Sequence, residues 1–369
     1  MMQLTLDLSP MLVNRTAVYN ICIDVDRIVG ARHSVQVDYQ FIGWRTPGIP
    51  PAGEQRKLHD LFLQKLNELD RLTEARSDSV PTDDRGFEKR RTFYLDPLYT
   101  LFASLGTDDI IMCYDLSPIT HPHWHNPNVS RLYDSAFCKI VRSGCKVVAV
   151  SDNTAETFRA NFGPEPGVVR TVHLYLPELV SKLPVAAAFP GFAVTTPYFL
   201  FVGSLEARKN IVGAIEAFRL SGLATKGYQL LIVGGRAHGA EEIERKAAKT
   251  EGVVLCGILS DVEKLAAYAG AAGFVYPSYL EGFGVPLLEA MAFGIPSVTT
   301  VAGASPEVGG PDVPCLDPDD HHGIAAAMLK IVSLSKAERN RLGTRLRKRA
   351  REQFSFERFT SNIEDVLFG

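Results

Sequence analysis

Hydrophobic positions along the 369-residue chain fall into short unbroken runs separated by longer stretches with helical spacing. Asp109 to Tyr114, Cys145 to Val150, Phe199 to Val202, Gln229 to Val233, Val253 to Cys256 and Ala272 to Tyr276 carry consecutive apolar side chains, as strands buried on both faces do. Between the later runs, Asn210 to Leu220, Glu241 to Thr250 and Val262 to Ala269 have the spacing of helices, and Gly323 to Leu334 and Lys336 to Gln353 follow. Strands alternating with helices at this interval predict α/β architecture with parallel, doubly wound sheets.

The first half is less regular. Gln3 to Leu8 alternates and predicts a strand, Asn14 to Val29 a helix, and Ser34 to Gly43 a second strand. Arg56 to Arg76 places Leu58, Leu61, Phe62, Leu66, Leu69 and Leu72 on one helical stripe. Ser77 to Arg91 is polar and charged, reads as a loop over Ser77 to Gly86, and ends in the basic cluster Lys89-Arg90-Arg91. An amphipathic helix beside a basic cluster suits a core-packed helix with a solvated loop, or peripheral contact with anionic lipid. Val168 to Leu176 closes the first half, and Pro177, Pro184 and Pro190 with an alanine run mark a linker.

Length changes the picture by implying two cores rather than one. The expected division is an N-terminal domain at 1–180, a linker at 181–196, a second domain at 197–353 and a final helix at 354–369. An apolar fraction of 46% and a charged fraction of 22% are those of a globular protein, and a net charge of −3 argues against nucleic acid as partner. Six cysteines are scattered without C-x-x-C spacing, as core thiols of a reducing compartment are. With no basic and apolar leader at Met1 to Leu8, the expected location is the cytoplasm, with peripheral contact at the inner face of the plasma membrane left open.

Candidate chemistry concentrates between Tyr276 and Ala292. A buried strand leads into a loop with Gly282 and Gly284, and Pro286 stands in the first turn of a following helix. The free N–H groups of such a helix start, at Val285, favour a phosphate, and the glycines admit a ligand close to the backbone. Glu281 before the helix and Glu289 inside it supply acceptors for hydroxyls, one facing the mouth and the other beside it. Diphosphate and hydroxyls together fit a nucleotide-sugar.

The run Pro277-Ser278 … Glu281-Gly282-Phe283-Gly284 … Pro286 … Glu289-Ala290-Met291-Ala292 … Gly294 … Pro296 resembles the retaining glycosyltransferases of family 4. The resemblance extends from about Pro197 to the C-terminus and includes Gly203 … Glu206 … Arg208-Lys209-Asn210 and Pro306-Glu307-Val308. It implies the GT-B fold, two Rossmann-like domains facing across a cleft, with donor binding in the second and acceptor binding in the first. It also implies a hexose, with mannose preferred, moved from a GDP- or UDP-sugar to a glycan or lipid-linked oligosaccharide in polysaccharide assembly. The donor contacts it implies are Gly203, Arg208, Lys209, Gly234, Gly257, Ile258, Glu281, Gly282, Phe283, Gly284, Val285, Leu288 and Glu289. Arg208 and Lys209 would neutralise the leaving diphosphate, Glu281 would hold the transferred sugar and Glu289 the ribose.

Departures from the family pattern lie in the first half. Thr16-Ala17-Val18-Tyr19 replaces its glycine-rich turn, and Tyr114-Asp115-Leu116 stands where relatives carry a histidine. Asp115 remains a candidate to accept the acceptor proton. Asp24 and Asp26 lie within a predicted helix and face different ways, and Pro122 interrupts His121 to His125, so neither is read as a metal site. The expectation is a metal-independent enzyme without a resident cofactor. A nucleotide-sugar epimerase, or a binding or scaffold protein that has lost activity, is the alternative; the complete set of donor residues favours transfer.

Overall fold

A computed structural model of the chain describes residues 3–12, 17–33, 35–41, 44–45, 48–49, 90–163, 167, 169–181, 196–237 and 239–369. Contacts divide the chain into two compact units, 1–172 with 360–369, and 173–359. The expected amphipathic helix at 56–76 and most of the expected linker lie outside the described residues.

The first unit is built on a six-stranded sheet: β1 (Gln3–Asp7), β2 (Val35–Asp38), β5 (Arg90–Tyr94), β6 (Ile110–Cys113), β7 (Lys146–Ala149) and β8 (Arg170–Thr171), in the order β2-β1-β5-β6-β7-β8. All neighbours are parallel. Leu4, Leu6, Phe93, Ile110 to Cys113, Val147 and Val148 are buried, as two-sided strands require. Helices Ala17–Gly30, Pro127–Ser143 and Asp152–Phe162 belong to this unit; Asn126 and Ser151 cap the last two through their side chains.

Two expectations are corrected here. The run at 34–43 is divided: β2 joins the sheet, and β3 (Gln40–Phe41) turns back on β4 (Trp44–Arg45) as an antiparallel hairpin. The basic cluster is not the end of a solvated loop, because Arg90 and Arg91 open the central strand β5. Thr92, Phe93 and Tyr94 provide the β-forming residues, and the buried Arg91 donates from Nη1 to the Leu367 carbonyl of the C-terminal segment. That segment is further held by Arg32, which pairs with Glu364 at 2.5 Å.

The second unit follows the sequence closely. Its sheet comprises β9 (Tyr198–Val202), β10 (Gln229–Val233), β11 (Val253–Gly257), β12 (Gly273–Tyr276), β13 (Ser297–Thr300) and β14 (Cys315–Leu316), ordered β11-β10-β9-β12-β13-β14 and parallel throughout. Tyr198 to Val202 and Gly273 to Tyr276 are buried at every position. Asp320 caps helix His321–Ser333, accepting from Gly323 N–H at 2.8 Å, so the acidic turn before it serves the helix. Both sheets are therefore doubly wound, each with one point where successive connections leave in opposite directions: between β1 and β5 in the first, and between β9 and β12 in the second. Ligands of open α/β sheets gather beyond the strand C-termini at such points. Among the described residues no helix is long and apolar enough to cross a membrane.

Candidate active site

The second switch point is occupied by two loops, 203–210 after β9 and 277–284 after β12. Lys209 arrives on the first and Glu281 on the second. The Lys209 ammonium donates to both Glu281 oxygens, at 2.7 and 2.9 Å, and to the Tyr276 hydroxyl at 3.0 Å. Both members of the pair are nearly inaccessible. Burial alone would raise the Glu281 carboxyl, but Lys209 and Arg208 beside it hold it down at about 2. Arg208 donates to the Leu280 carbonyl at 2.7 Å and to Glu206 at 2.9 Å, and stands 3.5 Å from Glu281. The carboxylate expected at the mouth is thus inside, paired with the cations expected to be aimed at phosphate. The three residues form one charged knot rather than three separate contacts.

Asn210 fixes where the loops meet. It is the one described non-glycine residue in the left-handed region, with φ 48°, and it is buried. Its side-chain amide donates to the Pro277 carbonyl at 3.0 Å and the Pro318 carbonyl at 2.8 Å, while its oxygen caps helix Ile211–Ser221. The Tyr279 N–H closes the junction by donating to the Arg208 carbonyl at 2.9 Å. Gly303, with φ +62°, lies against the Glu281 backbone, where an added Cβ would come within 2.5 Å of the carbonyl oxygen. Its neighbour Ala304 donates N–H to that oxygen at 2.9 Å.

Gly282, Phe283 and Gly284 lead into helix Val285–Phe293, whose first N–H groups have no partner within the helix. The Phe283 ring meets Phe354 edge-on at 5.4 Å and lies 6.1 Å from His173, which pairs with Glu307. One turn into the helix, Glu289 accepts from Lys264 at 2.9 Å and from Tyr268 at 2.8 Å. Leu288, counted among the donor contacts, is fully buried and its N–H donates to the Gly284 carbonyl. It presents neither side chain nor N–H to a ligand.

The glycines at the neighbouring strand ends pack on one another. Gly203 N–H donates to Val233 and Gly234 N–H to Gly257, each at 2.9 Å. A Cβ on Gly234 would fall 1.8 Å from the Gly203 carbonyl oxygen, so the close approach this glycine permits is that of the adjacent turn. Ile258, next to Gly257, is 84% exposed and covers Gly235.

Asp115 belongs to the first unit, after β6. Its Oδ1 accepts from Ser117 N–H at 2.8 Å and Ser117 hydroxyl at 2.6 Å, and that hydroxyl lies 2.9 Å from His125 Nε2. His121 stacks on Trp124 with centroids 4.2 Å apart. At the first switch point stand Asp7 and Asp96, which carried no expectation. Asp7 is 1% exposed, with one oxygen bonded to Ser9 N–H at 3.1 Å and the other without a partner among the described residues. Burial raises its carboxyl to about 7 and that of Asp96 to about 6.

A buried Lys–Glu–Arg knot thus stands over the switch point of a doubly wound sheet, beside a glycine-bearing helix start. The model of the glycosyl transferases group 1 matches residues 187–352. The chain is 30% identical over 258 residues to O-antigen chain mannosyltransferase B of Escherichia coli, covering 67% of each chain. The chain belongs to this glycosyltransferase family. It is also 43% identical over 102 residues to the MMP alpha-(1->4)-mannosyltransferase of Mycolicibacterium hassiacum, spanning 27% of this chain and 25% of that one. In fold it is similar to sucrose-phosphate synthase from Thermosynechococcus elongatus, with TM-score 0.67, 19% identity and 99% and 98% of the two chains covered. It is similar likewise to WaaG, a glycosyltransferase involved in lipopolysaccharide biosynthesis, with TM-score 0.64, 15% identity and 99% and 100% covered.

Proposed function

We propose that the enzyme moves mannose from a nucleoside diphosphate sugar, GDP-mannose before UDP-hexoses, to a hydroxyl of a glycan or lipid-linked oligosaccharide in polysaccharide assembly, with retention of configuration. The observation that carries the donor half is the Lys209–Glu281–Arg208 knot at the second switch point. The mannosyl group and the polysaccharide setting are supported by what the O-antigen chain relative is called.

In this reading the first N–H groups of helix Val285–Phe293, with the backbone of Phe283 and Gly284, receive the diphosphate. Glu281 takes hydroxyls of the transferred sugar through the lone pairs that Lys209 leaves open. Arg208 and Lys209 supply positive charge as the phosphate–sugar bond breaks, an electrostatic contribution that needs no metal ion. Glu289 binds the ribose, and Gly257 with Ile258 the base. The acceptor is bound by the first unit, and the leaving phosphate takes its proton as the new bond forms on the same face; Asp115 orients that acceptor. Contact with a membrane surface belongs to the same proposal.

The test is incubation of the purified enzyme with GDP-mannose and a mannoside acceptor in the presence of chelator, followed by NMR of the anomeric proton. An α-linked product formed in chelator is expected. A β-linked product would exclude retention, dependence on a divalent ion would exclude the metal-free step, and donor left intact by a folded enzyme would favour a UDP-sugar or a binding protein.

A further inference from the structure

We propose that Lys264 is a donor-binding residue which, together with Glu289, clasps the ribose diol of the nucleotide and makes the site select ribose over deoxyribose. The inference rests on the donor reading above and adds a residue to it.

Glu289 is almost completely buried, yet the described residues give it two partners: Lys264 Nζ on Oε1 at 2.9 Å and Tyr268 hydroxyl on Oε2 at 2.8 Å. An ionised carboxylate has about four acceptor positions, so roughly two remain. Tyr268 is buried, its hydroxyl lies also 3.3 Å from the Pro286 carbonyl, and burial with the nearby Glu289 keeps it protonated far above neutral pH. It fixes the carboxylate plane from inside. Lys264 is different, because its side chain keeps 27% of its exposure while that of Glu289 keeps 5%. The ammonium therefore covers the outer side of the carboxylate, and of its three donors one is directed at Glu289.

Both side chains are held in register. Ser260 and Glu263 form a capping box that starts helix Asp261–Gly270 just beyond β11, placing Lys264 in the first turn. Glu289 is one turn into helix Val285–Phe293. Each helix begins beyond the C-terminal end of its strand, the edge where the diphosphate is placed. A vicinal diol suits this pair: one hydroxyl donates to a free lone pair of Glu289, and its oxygen accepts from Lys264. Lys264 also compensates a buried carboxylate that would otherwise stand uncompensated near an anionic ligand. A lysine that merely joined two helices would have no bearing on the sugar of the nucleotide.

The experiment is calorimetry of the full chain with GDP and UDP, then with the 2′-deoxy and 3′-deoxy forms of whichever binds, using wild type, Lys264→Met, Lys264→Arg and Glu289→Gln, each checked for folding by thermal denaturation. Wild type is expected to prefer the ribonucleotide. Lys264→Met is expected to bind it about tenfold more weakly, as loss of a charged hydrogen bond implies. That variant should bind the deoxy forms nearly as wild type does, so that the preference collapses, and Lys264→Arg should recover part of it. An unchanged preference in Lys264→Met, with the preference lost in Glu289→Gln, would overturn the role of Lys264 and leave the donor reading intact. No nucleotide bound by the folded wild type would overturn both.

Discussion

The two sheets are built alike and differ at the place that matters. Each has six parallel strands, one switch point, and a buried carboxylate there: Asp7 in the first, Glu281 in the second. Glu281 is surrounded by Lys209, Arg208 and Tyr276, and its carboxyl is driven down to about 2. Asp7 faces Asp38 and Asp96, with one oxygen unpartnered among the described residues, and burial drives its carboxyl up to about 7. The same topology thus carries a knot of two cations and one carboxylate, suited to an anionic, polyhydroxylated donor, in the second unit, and a pair of carboxyls raised by burial, Asp7 and Asp96, in the first. Fold supplies the location; the side chains decide which ligand each location accepts.

The contrast is broken most severely at Lys209. Lys209→Met removes the nearer of the two counter-charges of the buried Glu281, leaving Arg208 at 3.5 Å, and is expected to cost about 3 kcal/mol in urea unfolding of the second unit. Because the folded-state carboxyl of Glu281 is lowered, its contribution is present above pH 4.5 and lost as pH falls toward 2; Lys209→Met should weaken that acid dependence, with Arg208 retaining part of it. An unaltered acid limb would show that the pair adds nothing to stability.

Asp7→Asn probes the other side, with opposite sign. A carboxyl raised from 3.8 to about 7 stabilises the fold fully below pH 3.8, and this is lost as pH rises to 7. Asp7→Asn is expected to gain on the order of 2–4 kcal/mol at pH 8 and nothing at pH 3.5, read from unfolding curves of the first unit at both values. An equal effect at the two values would mean that the Asp7 carboxyl titrates alike in the folded and unfolded chain.

Smaller changes sharpen the comparison. Gly303→Ala places a methyl against the Glu281 backbone at positive φ and should cost about 2 kcal/mol, together with donor affinity, by calorimetry. Tyr268→Phe removes one hydrogen bond to Glu289 and should cost about 1 kcal/mol in the same unfolding assay. A Tyr268→Phe loss as large as that of Lys209→Met would place the centre of the site at Glu289 instead of Glu281.

How much of this was legible in the sequence follows from where chemistry and pattern coincide. The second sheet was readable because β9, β10 and β12 are buried on both faces and show as continuous apolar runs, and Glu281, Arg208, Lys209 and Glu289 stand in a long motif. β5 was hidden because Arg90 and Arg91 open it, and the carbonyl that Arg91 donates to comes from Leu367, far along the chain. The mutual pairing of Lys209 and Glu281 spans 72 residues of sequence, so each was legible as a candidate and neither as the other's partner. Asn210 was visible within its motif, but its role depends on carbonyls of Pro277 and Pro318 that only the folded chain brings together. Asp7 gave no signal, since an aspartate ending a strand is ordinary until its burial is known.

The central claim is that the Lys209–Glu281 knot serves a nucleotide-sugar. The most direct measurement is the rate at which wild type and Glu281→Gln release nucleoside diphosphate from GDP-mannose and UDP-hexoses in chelator with a mannoside acceptor. The account predicts release from one donor by wild type and a loss of at least about 100-fold in Glu281→Gln, with the variant still folded. Equal rates in the two proteins would contradict it.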